Sequence, residues 1–73
     1  METKAKKSII KAANRISDLK ACIDNGGEIS AQNMWRGVIE GLLEAASIIT
    51  GQVYTWDREG IYENHGNEPI IKA

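Results

Sequence analysis

A chain of 73 residues with a formal net charge of −1 makes one small domain, and a domain of that size is marginally stable unless something staples it. One cysteine, Cys22, excludes an internal disulfide, and one histidine, His65, excludes a Cys/His zinc centre. Association with a second copy or with another protein is the most economical remaining source of stability.

The small net charge conceals a polarised chain. Residues 1–22 hold six cations against two acids, a net +4, while residues 23–73 hold three cations against eight acids, a net −5. Such asymmetry suits a basic face that meets an acidic partner, or two halves that neutralise each other within a fold or dimer. The lysine-rich start has no signal-peptide pattern, and with a lone cysteine it points to a cytoplasmic, reducing compartment. The longest mainly apolar run, Val38 to Ile49, is interrupted by Glu40 and Glu44 and is too short to cross a bilayer. A soluble protein is expected.

The first element is a helix over about 3–24. Ile9, Ala12, Ile16, Leu19 and Ile23 recur at spacings of three and four, the stripe that two packed helices share. Opposite that stripe, Lys4, Lys7, Lys11 and Arg15 fall within roughly 80° of one another. "DNGG" at 24–27 stops the helix, because Asn and Gly accept the left-handed conformation of a C-terminal cap. Ile10 and Cys22 lie off the stripe and are expected to contact the C-terminal tail.

A second helix is expected over about 31–50, with Ser30 as its N-cap, Ile29 and Met34 as a hydrophobic staple, and Gly51 as its stop. The short connection makes the pair an antiparallel hairpin. On a wheel, Arg36, Ser47, Glu40, Asn33 and Glu44 occupy roughly 80°, and nearly all the remaining ~240° is apolar or small. One neighbouring helix covers only about 100°, so this helix needs neighbours on at least two sides. "GVIEGLLEA" at 37–45 sharpens the point, because each glycine in a helix interior costs on the order of 1 kcal/mol relative to alanine. Gly37, Gly41 and Ala45 recur every four residues, a row that admits a second helix closer than the usual 8–10 Å. The expected occupant is the first helix or, as the favoured reading, the same helix of a second copy across a dimer interface.

Beyond Gly51, "VYTWDREGIYEN" reads as a short β-hairpin, Val53–Trp56 with Ile61–Asn64, around a turn that begins with Asp57 and ends with Gly60. Tyr54, Trp56 and Ile61 fall on one face and Val53, Thr55 and Tyr62 on the other. Residues 65–73 read as a polar tail in which Pro69 permits an edge strand at most. The whole is a mainly α fold, a single unit of 1–73 divided into a helical hairpin (1–51), a β-hairpin (52–64) and a tail.

Function is expected to lie in binding. Tyr54, Trp56 and Tyr62, with Arg58 at the turn tip, make the segment best suited to contact a partner, since Trp, Tyr and Arg dominate interaction hot spots. The alternative is the ridge of Lys4, Lys7, Lys11 and Arg15 acting on a phosphate backbone. A helix-turn-helix DNA reader fits poorly, because its second helix would be mostly apolar. No paired catalytic group, Glu-x-x-His metal motif or phosphate loop is present, so neither enzyme activity nor a cofactor or metal is expected. The plan resembles, in outline, small dimeric helical-hairpin RNA binders with basic residues on the first helix; the likeness is architectural and transfers no residues. The reading that follows is a non-enzymatic modulator or inhibitor of a larger protein, of bacterial or phage type, with a small dimeric RNA- or DNA-binding regulator as the alternative.

Overall fold

The computed structural model describes residues 2–73, so Met1 of the expected single unit lies outside the described residues. Helix α1 spans Thr3–Asp24 and helix α2 spans Ile29–Thr50. Both have 22 residues, about 33 Å at 1.5 Å per residue, which matches the 36 Å long dimension of the molecule. They pack side by side as an antiparallel hairpin.

Local chemistry sets each helix end. The Glu2 carboxylate caps α1, accepting from the amides of Lys4 at 3.0 Å and Ala5 at 3.2 Å. These bonds favour the charged form, the Lys4 amide most, and hold the Glu2 pKa below its ordinary 4.5. At the other end Gly26 adopts φ 73°, the Gly27 amide donates to the Cys22 carbonyl and the Gly26 amide to that of Ile23. That pair of bonds is the Schellman arrangement the DNGG segment predicts. Helix α2 stops at Gly51, φ 72°, as expected.

The start of α2 differs from expectation. The helix begins two residues earlier, entered from Glu28, whose side chain makes no capping bond. Ser30 lies inside the first turn rather than at the cap. Ile29 and Met34 are exposed and form no staple. The tight exit from α1 explains the shift: the two-residue reversal at Asn25–Gly26 returns the chain early, and Gln32 secures the entry by donating from Nε2 to the Gly27 carbonyl at 2.9 Å.

Three short strands follow: β1 (Tyr54–Asp57), β2 (Gly60–Glu63) and β3 (Ile71–Lys72), an antiparallel sheet in the order β1-β2-β3. The hairpin turn is where Asp57 and Gly60 place it, with Asp57 Oδ1 accepting from the amides of Glu59 and Gly60. Trp56 pairs with Ile61 and Thr55 with Tyr62, so the two faces are those expected from alternation. The tail is more than a polar appendage. The Ile70 amide donates to the Ile61 carbonyl and the Ala73 amide to that of Glu59, turning the two-stranded hairpin into a three-stranded sheet. Gly60 makes this possible: its φ is 151°, and a Cβ there would run into the Ile71 carbonyl.

The sheet lies across the helical pair, β1 against α2 and β2 with β3 against α1. The core comprises Ala5, Ile9, Ala12, Ala13, Ile16 and Leu19 of α1, Ile39, Leu43 and Ala46 of α2, and Tyr54 and Ile61 of the sheet. Ile9, Ala12, Ile16 and Leu19 are thus buried as the stripe requires, and Ile23 packs at its edge. Ile10 borders a groove shared with Ile70 and Ile71 of the tail. Cys22 instead sits half-buried against Gly27.

Candidate interaction surfaces

The hairpin has one face under the sheet and one face open, and the expected functional residues divide between them. On the sheet side, Tyr54 belongs to the core: it is 9% exposed, and its hydroxyl lies 3.2 Å from Thr50 Oγ1. Trp56 is half-buried and donates from Nε1 to Glu40 Oε1 at 2.7 Å. That bond anchors β1 to a residue of the polar arc of α2. Glu40, Glu44 and Ser47 accordingly line a depression with Val53 and Tyr54. The arc expected to face water is partly where the sheet docks.

Trp56 and Tyr62 stand on opposite faces of the sheet, Trp56 towards the helices and Tyr62 outwards, yet both residues border one hollow. With Thr55, Asp57 and His65 they line a shallow, open depression of about 410 Å³. The Tyr62 hydroxyl donates to both Asp57 oxygens, at 3.1 and 3.0 Å. Desolvation, with the adjacent Asp57 carboxylate, raises the Tyr62 pKa above its ordinary 10, so the phenol stays a neutral donor. Arg58 stands at the turn tip, exposed, with Nη2 3.7 Å from Asp24 Oδ1. The residues lining that depression do not include Arg58, whose side chain reaches back to the end of α1, or Tyr54, which packs in the core.

On the other side, Lys4, Lys7 and Lys11 are exposed on α1. Arg15 is withdrawn from that ridge. Its Nε lies 2.9 Å from Asp18 Oδ2, and its guanidinium sits 5.8 Å above the Trp35 ring. Sequence reasoning did not pair Arg15 with Trp35, because the pairing depends on how the two helices align.

The row of small residues on α2 is bare. A methyl group added to Gly37 or Gly41 would meet nothing within 4 Å, so neither α1 nor the sheet occupies the row. Alanines, not glycines, make the close contact between the helices of one chain: Ala5, Ala12 and Ala46 are fully buried there. Around Gly37, Gly41 and Ala45 stand Met34, Val38, Ile48 and Ile49, of which Ile48 is 77% and Met34 57% exposed. At ~100° per residue these positions form one apolar lane about 120° wide. An exposed apolar lane of this kind marks an interaction surface more often than a solvated one.

Among the described residues no group of His, Cys, Asp and Glu is placed to hold a metal ion, and no helix is long and apolar enough to cross a membrane. No protein-family model, curated protein or solved structure matches this chain.

Proposed function

We propose that this chain is a small, non-enzymatic interaction protein of the cytoplasm, a stoichiometric modulator or inhibitor that docks on a larger protein and works as a homodimer through α2. The observation that carries the docking part is the open depression on the sheet, with the Tyr62 phenol on its outer face and the exposed Arg58 at the neighbouring turn tip. An aromatic ring with a polar tip and a cation on the next turn offer apolar area, hydrogen bonding and charge at one end of the sheet, residue types that dominate interaction hot spots. The bare lane of α2 supports the dimer, since covering it stabilises a chain that has no disulfide.

The exposed Lys4, Lys7 and Lys11 favour a second reading, a small dimeric regulator that holds RNA or DNA along α1. The two readings separate in one capture experiment from lysate, with and without nuclease, using the wild type, Trp56→Ala, Arg58→Ala and Lys7→Glu/Lys11→Glu. A stoichiometric protein partner that survives nuclease and is lost with Trp56→Ala and Arg58→Ala supports the modulator. Material lost on nuclease treatment and with the lysine reversal, with affinity falling steeply as salt rises, replaces it with the nucleic-acid reading.

A further inference from the structure

The lane on α2 is bordered by unlike charges. Glu44 follows Gly37 on one flank; on the other, past Val38 and Ile49, α1 presents its lysines. The height of each charge along the hairpin follows from two contacts. Ser8 Oγ donates to the Leu42 carbonyl at 2.6 Å, and Arg15 lies over Trp35. In both pairs the residue numbers sum to 50, so Glu44 is level with Lys6, about 1.5 Å along the axis from Lys7 and about 3 Å from Lys4.

From this register we infer that the partner on the lane is a second copy of this chain whose α2 runs parallel to the first about a two-fold axis along the helices, with Glu44 of each copy against Lys4 and Lys7 of the other. The inference rests on the α2 dimer proposed above and fixes its orientation. A two-fold axis along the helices preserves height and exchanges the flanks, so the acidic flank of one copy meets the basic flank of its partner at the same level. A two-fold axis perpendicular to the helices keeps each flank on its own side, which sets Glu44 near Glu44 and lysine near lysine, and like charges so placed oppose association. In the parallel arrangement Gly37 and Gly41 meet their own copies at the crossing, where helices approach most closely, while Met34 and Ile48 fill the gap that widens towards the ends. Glu44 and the two lysines are exposed and make no ion pair within the described residues, so all three are available to the contact. The arrangement also occupies two of the three free lysines of the ridge, which leaves less of it for phosphate.

The test is a charge exchange read by sedimentation across a concentration series, with circular dichroism confirming that each variant keeps its helicity. Glu44→Lys alone and Lys4→Glu/Lys7→Glu alone each place like charges across both contacts, and each is expected to dissociate at least ~tenfold more readily than the wild type. An equimolar mixture of the two restores opposite charges at both contacts and is expected to recover dimer near the wild-type affinity. If Glu44→Lys pairs with the wild type more tightly than the wild type pairs with itself, the helices run antiparallel and the inference is overturned. If neither reversal changes dissociation, the charge register is wrong while the α2 dimer stands. A wild type that is monomeric at every concentration removes the dimer reading and the inference with it. A second measurement uses Cys22→Ser/Gly37→Cys: the parallel two-fold brings the introduced thiols together and oxidation yields a covalent dimer, whereas an antiparallel crossing at Gly41 sets position 37 against position 45 and yields none.

Discussion

Helices α1 and α2 have the same length and bury very different shares of themselves. Helix α1 is rich in lysine and buries six side chains; α2 is far more apolar and buries three. The difference follows from position. Helix α1 lies beneath β2 and β3 as well as against α2, whereas α2 touches α1 and β1 along a narrower arc. Apolar content therefore does not report burial within one chain, and the surplus on α2, gathered in the lane around Gly37 and Gly41, stays exposed.

The strongest way to break this comparison is to truncate a buried isoleucine in each helix and an exposed one on the lane. Ile16→Ala and Ile39→Ala each empty a fully buried position and should cost about 2–5 kcal/mol of unfolding free energy in a denaturant titration. Ile48→Ala, at a site 77% exposed, should change the stability of the dilute monomer by less than about 0.5 kcal/mol. Equal losses at the buried and exposed sites would mean that the lane is buried even at high dilution.

Next in size, Gly60→Ala tests whether β3 belongs to the fold that favours α1. It forces a side chain into a left-handed conformation and against the Ile71 carbonyl, which should cost about 1–3 kcal/mol and expose the amides of Ile70 and Ala73 to hydrogen exchange. The glycines of the lane should respond in the opposite sense. Gly37→Ala and Gly41→Ala meet no neighbour, so each should stabilise the dilute monomer by roughly 1 kcal/mol. The same changes should weaken self-association measured by sedimentation. A gain in monomer stability coupled to a loss of dimer would separate the two roles of one residue; a gain without that loss would mark the glycines as unused.

Much of this architecture was legible in the chain. The stripe from Ile9 to Leu19, the DNGG stop, the Gly51 stop and the Asp57–Gly60 turn all follow from local rules of spacing, capping and turn chemistry, and the structure carries each of them. What was not legible depends on partners distant in sequence. Strand β3 has only two residues, too few for an alternation to show, and it forms because Gly60 and Ile61 offer an edge. The entry to α2 obeyed the tightness of the preceding turn instead of the Ser30 signal. Of the candidate site residues, Tyr62 lies on the outer face of the sheet and Arg58 at its turn tip, whereas Tyr54 and Trp56 fall on the face towards α2, Tyr54 against Thr50 and Trp56 against Glu40. Arg15 likewise left the basic ridge for Trp35, a contact that only the register between helices creates.

The smallest expected effect concerns the start of α1. Because the folded Glu2 carboxylate titrates below its ordinary 4.5, its capping contribution is complete above that value and is lost as the pH falls through the lowered pKa. Amide chemical shifts of Lys4 and Ala5 should move over that acid range. The resonances of α2, whose entry has no side-chain cap, should stay still; equal movement at both helix starts would assign the transition to global unfolding.

The tight reversal at Asn25–Gly26 bears on the order in which the molecule assembles. Closing so short a loop costs little chain entropy, whereas the sheet reaches α1 from far along the chain, as in the bond from Lys20 Nζ to the Ala73 carbonyl across 53 positions. Early contacts in folding should therefore gather between the two helices. Substitutions there should slow folding, and substitutions in the sheet should mainly hasten unfolding. Trp35 and Trp56, one in each part, provide separate fluorescent clocks for the two events.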